Sequence, residues 1–283
     1  MSIQSFKPAF WAATVMRTLE DALVAKKICN MEYMGEIKKA GDRVYFSGLE
    51  DPTISDYTGS ALTYEELNDS QLALIVDQQK SYSFLVDDID AAQANVDLKN
   101  SQIKRAAYQL QRAVDSYILG GTTFSGQAQA GTVTDATCDT ATILGDFGML
   151  WQYLAEQNVS DGQMWAVIPP WVKMKLELAG IKFSINEGIN GTGGMAWTKE
   201  LGFDIYVSNL VYNSNTSDAP VSTIMAGSYN AIGFADQVNK TEAFRHQSYF
   251  KDACRGLYTY GAKVLKPKEL ATAVLTYTAE TAI

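Results

Sequence analysis

The feature that most constrains the fold is a run of alternating side chains, residues 72–86, that changes to helical spacing at Asp87. Gln78 and Lys80 are the only interruptions in one parity of this run. The apolar members of that parity are Leu72, Leu74, Val76, Tyr82, Phe84 and Val86. A period of two predicts a long β-strand.

Beyond Asp87, apolar residues step by three, four or seven positions, which predicts one helix of about 30 residues. It should stop at the pair Gly120-Gly121. Three carboxylates, Asp87, Asp88 and Asp90, stand where this helix begins. Acidic side chains there accept hydrogen bonds from free N–H groups and suit the helix dipole, so we interpret them as N-capping residues. A metal site would need further ligands, and the sequence nominates none.

The segment before this helix predicts an arm without a core of its own. Residues 8–29 have the spacing of an amphipathic helix that begins at Pro8. Short β-prone pieces such as Arg43 to Phe46 are then separated by turn signals, and the chain returns through the predicted strand. Residues 33–86 thus form a hairpin-like arm, and a two-stranded arm alone is marginally stable in water. We expect another subunit to cover it.

The second half alternates between helical and extended patterns, after a connector of Gly, Thr and Ala at residues 122–141. Helices are predicted at 143–154 and after Pro169-Pro170. Extended segments are predicted at 164–168, 203–207, 225–234, 249–260 and 273–277. This order indicates an α+β fold with mixed sheets and no internal repeat.

Composition excludes several classes of protein. The formal charge is -9 and no Lys/Arg run is longer than two residues, which argues against tight general binding to nucleic acid. No apolar run approaches the roughly 20 residues that a membrane crossing needs, and the N-terminus does not resemble a signal peptide. We expect a soluble protein made in a cytoplasm. Cys29, Cys138 and Cys254 are far apart in sequence and are expected to be free buried thiols.

Catalytic motifs are weak. His246 is the single histidine, which excludes multi-histidine metal centres. The loop GINGTGG is followed by Met195 and not by the Lys-Ser or Lys-Thr of a phosphate-binding loop. Acid pairs such as Glu65-Glu66 and Glu20-Asp21 could serve a hydrolase, but such pairs are common in acidic chains. We therefore expect that the protein is not an enzyme and binds no metal or cofactor. The alternative is a carboxylate-based hydrolase.

The order of elements resembles the major capsid proteins of tailed double-stranded-DNA phages, which have the Hong Kong 97 type fold. Several stretches resemble that family in wording, most specifically residues 62–119. They include FWAATVMRTLEDALVAKKICN, GEIKKAGDRVYFSGLEDPTISDYT, LTYEELNDSQLALIVDQQKSYSFLVDDIDAAQANVDL, GFDIYVSNL and GLYTYGAKVLKPKELATAVLTY.

The resemblance implies four regions. They are an N-terminal arm (1–32), an extended E-loop (33–86), a peripheral domain with the spine helix (87–120 and 226–260) and an axial domain (121–225 and 261–283). It implies hexamers and pentamers that tile an icosahedral head around packaged double-stranded DNA, without tight specific binding to that DNA. Arm residues would contact a neighbouring subunit, and those we nominate are Lys38, Lys39, Asp42, Arg43, Asp51, Asp56 and Tyr57.

Further expectations concern partners and alternatives. The chain begins close to its first helix, so we expect a separate scaffolding protein, with a portal and decoration proteins as other partners. We expect assembly in the bacterial host cytoplasm and no Lys–Asn cross-link between subunits. A nanocompartment shell with an enzyme cargo would share the fold. A surface adhesin or array protein would require an export signal, which the sequence does not show.

Overall fold

The computed structural model describes ten stretches of the chain. These are residues 24–32, 43–49, 69–87, 98–160, 163–180, 196–197, 202–214, 220–237, 241–245 and 251–279. The helices are α1 (Ala25–Ile28), α2 (Leu98–Leu119), α3 (Thr122–Ser125), α4 (Ile143–Glu156) and α5 (Pro170–Leu178), with a 3-10 turn at Pro267–Glu269.

Thirteen strands are described, and they form three sheets. The first seven are β1 (Arg43–Leu49), β2 (Asp69–Ile75), β3 (Gln78–Asp87), β4 (Gly131–Cys138), β5 (Met164–Ile168), β6 (Ala196–Trp197) and β7 (Phe203–Val207). The others are β8 (Asn213–Ser214), β9 (Val221–Ser228), β10 (Ile232–Gln237), β11 (Thr241–Arg245), β12 (Lys251–Val264) and β13 (Leu270–Tyr277). The fold is α+β, as predicted.

The predicted long strand is two strands in two sheets. β2 pairs antiparallel with β1, whereas β3 pairs antiparallel with β12, and the chain passes between them at Val76 and Asp77. The strand is divided by a contact with a distant part of the chain. Val76 crosses over β12 at Gly261, so closely that a Cβ added to Gly261 would lie 2.9 Å from the Cα of Val76. Burial still alternates from residue to residue between the two strands, since Leu74 and Val76 are buried while Ile75 and Asp77 are exposed.

β12 is the centre of a four-stranded antiparallel sheet. β3 occupies one of its edges, and β11 and β10 follow one another along the other edge. Helix α2 packs on this sheet and ends directly before Gly120, as predicted. The described part of α2 begins at Leu98, and residues 88–97, where the helix is predicted to begin, lie outside the described part of the chain.

The third sheet has seven strands in the order β4-β13-β9-β5-β7-β6, with β8 also paired to β9. Two apolar cores cover its faces, and β5 contributes alternately to both. Trp165 and Val167 pack with α1, α2 and the four-stranded sheet, whereas Met164, Ala166 and Ile168 pack with α4 and α5. A strand covered on both faces reads as a continuous apolar run, which explains the sequence MWAVI.

The sequence predicted β5, β7, α4 and α5 at the observed positions. Two predictions were wrong in detail. The connector 122–141 contains α3 and β4, an edge strand in which only Val133 and Cys138 are buried. The predicted segment 225–234 is divided into β9 and β10 by a turn at Tyr229 and Asn230.

Candidate functional site

A polar cluster lies where β4 meets α4. Asp135 and Cys138 come from β4, and Asp146 comes from the first turn of α4. One carboxylate oxygen of each aspartate and the Cys138 Sγ lie within 4.8 Å of one another. Cys138 is fully buried, Asp146 is 7% exposed, and Asp135 is half-buried.

Local hydrogen bonds fix this junction. The Thr142 N–H donates to Asp139 Oδ1 at 2.9 Å and the Asp139 N–H donates to Thr142 Oγ1 at 3.1 Å, a reciprocal arrangement that begins α4. The Thr142 hydroxyl in turn donates to Asp135 Oδ2 at 2.8 Å. The composition of residues 122–141 is typical of a connector and does not predict this site. The signal that could have found it is Asp139 three residues before Thr142, just ahead of the apolar run from Ile143.

The cluster is electrostatically unusual. Burial, followed by the nearby Asp135 carboxylate, raises the pKa of Asp146 to about 7. Burial and the same two carboxylates raise the pKa of the Cys138 thiol to about 12. The pKa of Asp139 is lowered, chiefly by hydrogen bonds from the Thr142 and Ala141 N–H groups.

Lys175 of α5 is a buried cation beside this cluster. Its Nζ donates to the Thr278 carbonyl at 2.7 Å and lies 5.0 Å from the centre of the Tyr277 ring. Its charge favours the ionised forms of Cys138 and Asp139. Lys175 therefore fastens α5 to the end of β13 and offsets part of the negative charge of the cluster.

The groove between β3 and α2 lacks the two facing carboxylates that a carboxylate-based hydrolase needs. The groove between β3 and α2 has a volume of about 430 Å³, and Lys80 and Arg105 are the charged residues among those that line it. No carboxylate lines that groove. Asp135 and Asp146 do face one another, but Asp146 is too deeply buried to reach a substrate ring.

The N-terminal segment is held by a second buried carboxylate. Asp115 of α2 accepts hydrogen bonds from the Val24 N–H at 2.6 Å and the Ala25 N–H at 3.1 Å. N–H groups at the start of a helix have no acceptor within the helix, and no side chain of the α1 segment itself caps these two. On the same segment, Lys26 forms an ion pair with Asp236 of β10 at 2.7 Å.

The outer face of the four-stranded sheet exposes two leucines among polar side chains such as Ser83 and Arg255. Leu85 of β3 is 53% exposed and Leu257 of β12 is 44% exposed. The register places Leu85 opposite Ala253 and Leu257 opposite Ser81, so both side chains point away from the face that packs on α2. Other large apolar side chains are exposed elsewhere, and they are Ile75, Met149, Trp151, Met174 and Leu178.

Most residues nominated from the sequence fall outside the described stretches. Asp87 is the last residue of β3 and is paired with Lys251, and Arg43 begins β1 opposite Ile75. The residues not described are Lys38, Lys39, Asp42, Asp51, Asp56, Tyr57, Asp88, Asp90 and His246. Both the capping role and the arm contacts therefore stay predictions. Within the described stretches, no helix has the length and hydropathy to cross a membrane.

Solved structures of phages share this fold over nearly the whole chain. A structure of Mycobacterium phage Che8 is 23% identical with a TM-score of 0.73, and the match covers 96% of this chain and 98% of that chain. The capsid structure of the cyanophage P-SCSP1u is 15% identical with a TM-score of 0.67, covering 93% and 91%. The capsid of Ralstonia phage GP4 is 14% identical with a TM-score of 0.62, covering 90% and 88%. No protein-family model matches the sequence, and a search of curated proteins finds no relative.

Proposed function

We propose that this chain is the major capsid protein of a tailed double-stranded-DNA phage, with the Hong Kong 97 type fold. The observation that carries the proposal is the match to phage structures, two of them capsids, over nearly the full length of both chains. Because the match extends over nearly the full length of both chains, the similarity is one of whole subunits and not of a shared motif. The role is structural, and hexamers and pentamers of the chain build an icosahedral head.

The sheets suggest how the subunit is divided. The four-stranded sheet with α2 corresponds to the peripheral domain (87–120 and 226–260). The seven-stranded sheet with α4 and α5 corresponds to the axial domain (121–225 and 261–283). β1 and β2 belong to the E-loop (33–86), and residues 1–32 form the N-terminal arm. β3 lies within the E-loop range but pairs with β12, so the free part of the loop ends near Val76.

Two features of the described surface support contacts between copies. β1 and β2 pair with each other and with no other described strand, and such a pair needs a covering surface to be stable. Leu85 and Leu257 are two exposed apolar side chains on the outer sheet face, separated by the exposed pair Ser83 and Arg255. Neighbouring copies in a closed shell supply covers for both.

The proposed partners are further copies of the chain, a separate scaffolding protein, a portal and decoration proteins. Packaged DNA is enclosed and not gripped, because a net charge of -9 repels it. The proposed location is the capsid of the virion, after assembly in the host cytoplasm. No covalent link joins the subunits, so a denaturing gel of mature particles should show single chains and no ladder.

The function is tested by the contents of the particles. The chain is expressed with its neighbouring genes, particles are isolated on a density gradient, and their contents are analysed after nuclease treatment. We expect nuclease-protected double-stranded DNA inside heads that carry a portal. Particles that instead enclose one co-purified enzyme would identify a nanocompartment and contradict the proposal.

A further inference from the structure

We propose that Asp135, Cys138 and Asp146 bind one divalent transition-metal ion per chain, with Zn²⁺ as the expected occupant. The site lies within one subunit, at the junction of β4 and α4. It does not depend on the proposed capsid role, and its test can be read on single subunits or on assembled particles.

The three candidate ligand atoms are already close. They lie within 4.8 Å of one another. Zn–S bonds of about 2.3 Å and Zn–O bonds of about 2.1 Å place ligand atoms roughly 3.5 Å apart in a tetrahedron. A contraction of about 1.3 Å at most completes three corners, with water at the fourth on the more exposed Asp135 side.

A second observation points to a missing ligand. The Oδ2 atom of Asp146 is buried and receives no hydrogen bond from a donor group of the described residues, and the group that faces Asp146 is the Asp135 carboxyl, with which it shares a hydrogen bond through a proton. Two buried carboxyl groups without another donor are costly to keep ionised, and a bound cation that replaces the shared proton removes that cost. The neighbouring Asp135 is already oriented, since the Thr137 N–H donates to its Oδ1 and the Thr142 hydroxyl donates to its Oδ2, each at 2.8 Å. Such outer hydrogen bonds typically hold metal ligands in place.

The donor set selects the class of ion. One thiolate with two carboxylates suits a borderline dication such as Zn²⁺ or Co²⁺, whereas Mg²⁺ and Ca²⁺ prefer oxygen ligands alone. Coordination requires the Cys138 thiolate, so its proton passes to solvent when the ion binds. Among the charged groups that act on the Cys138 thiol, three aspartates, Asp135, Asp139 and Asp146, stand against Lys175, and a dication reduces this excess of negative charge.

The probe is Co²⁺, because bonding to a thiolate gives a charge-transfer absorption in the near ultraviolet. Metal-free full-length chain is titrated with Co²⁺, dialysed, and then titrated with Zn²⁺. We expect one retained equivalent per chain, a thiolate band that saturates with it, and loss of the band when Zn²⁺ displaces Co²⁺. Cys138→Ser should abolish the band, and Asp146→Asn should weaken binding at least tenfold.

Cys254→Ser is the matched control, since Cys254 is also a buried free thiol but lies in the four-stranded sheet, whereas Cys138 lies in the seven-stranded sheet. That variant should keep the full cobalt band. Absence of a band and of retained metal in the wild-type chain would overturn the proposal, and so would an unchanged band in Cys138→Ser. If Cys138→Ser does not fold, the wild-type titration and the Cys254→Ser control decide the question. Wild-type chain that neither retains Co²⁺ nor gains thermal stability from Zn²⁺ refutes the site.

Discussion

Asp115 is the residue that joins the N-terminal segment to the long helix. It is 3% exposed, and its carboxylate accepts both N–H groups at the start of α1. Because α1 is one turn long, its stability comes from this contact and from the burial of Ala25 and Ile28, not from intrinsic propensity.

Asp115→Ala should therefore destabilise the subunit by about 2 to 4 kcal/mol, because it leaves two buried donors without an acceptor. Chemical unfolding of the unassembled subunit measures this change. The control is Lys26→Ala on the same segment, where a partly exposed ion pair with Asp236 is lost. That control should cost about 1 kcal/mol or less. Equal losses in the two variants would show that Asp115 has no special role.

At the scale of elements, Gly261 is the point where the arm leaves the body of the subunit. The Ile75 carbonyl and the Cα of Val76 crowd the position that a Cβ would occupy. Gly261→Ala should destabilise the chain by about 1 to 3 kcal/mol because the crossing strand must move. Thermal unfolding, with limited proteolysis of the arm, provides the measurement.

Gly148→Ala is the matched control for that substitution. Gly148 lies on the exposed side of α4 and a Cβ there would meet no atom within 4 Å. Replacing a helical glycine by alanine should stabilise the chain by about 0.5 to 1 kcal/mol. The two alanine variants should thus shift the unfolding temperature in opposite directions. A shared direction would contradict the assigned crossing.

Elements with short-range signals could be predicted from the sequence. β5 is an unbroken apolar run. α5 begins at Pro170, and proline is typical of the first turn of a helix. β4 could not be predicted, because an edge strand that buries two side chains shows no clear period. The division between β2 and β3 also escaped prediction, since it depends on contact with Gly261, far along the chain.

The candidate metal site could not be predicted for a related reason. Its ligands are spread over an unrecognised strand and the helix that follows it. The burial that leaves Asp146 Oδ2 without a donor comes from packing of the whole seven-stranded sheet, not from local sequence. Capping by Asp115 is likewise invisible in the sequence, because its partners are 91 and 90 residues away.

At the scale of the whole molecule, the outer face of the four-stranded sheet, which exposes Leu85 and Leu257, should be an assembly surface. Leu257→Glu should leave the subunit folded, with a stability change of about 1 kcal/mol or less, because Leu257 is 44% exposed. It should reduce particle yield at least tenfold by placing a charge where a neighbouring copy packs. Sedimentation of particles and subunits measures both.

Thr123→Glu is the control for Leu257→Glu. It adds the same charge at an exposed position in α3, away from the outer sheet face, and should assemble as the wild-type chain does. A normal particle yield for Leu257→Glu would show that this face is free in the shell.

Net charge gives a prediction for assembly in solution. Each subunit carries a formal charge of -9, so subunits repel at long range when salt is low. Raising the ionic strength shortens the screening distance, from about 30 Å at 0.01 M to about 8 Å at 0.15 M, and should favour assembly. Light scattering across a salt series tests this, and faster assembly at the lowest salt would contradict it.

Copies of this chain should assemble into shells. Electron microscopy of the purified protein, expressed with and without its neighbouring genes and sized by sedimentation, tests it most directly. We predict closed shells, tubes, or rings of hexamers and pentamers. A protein that remains a monomer in every condition, including high salt and added scaffolding protein, would contradict the account.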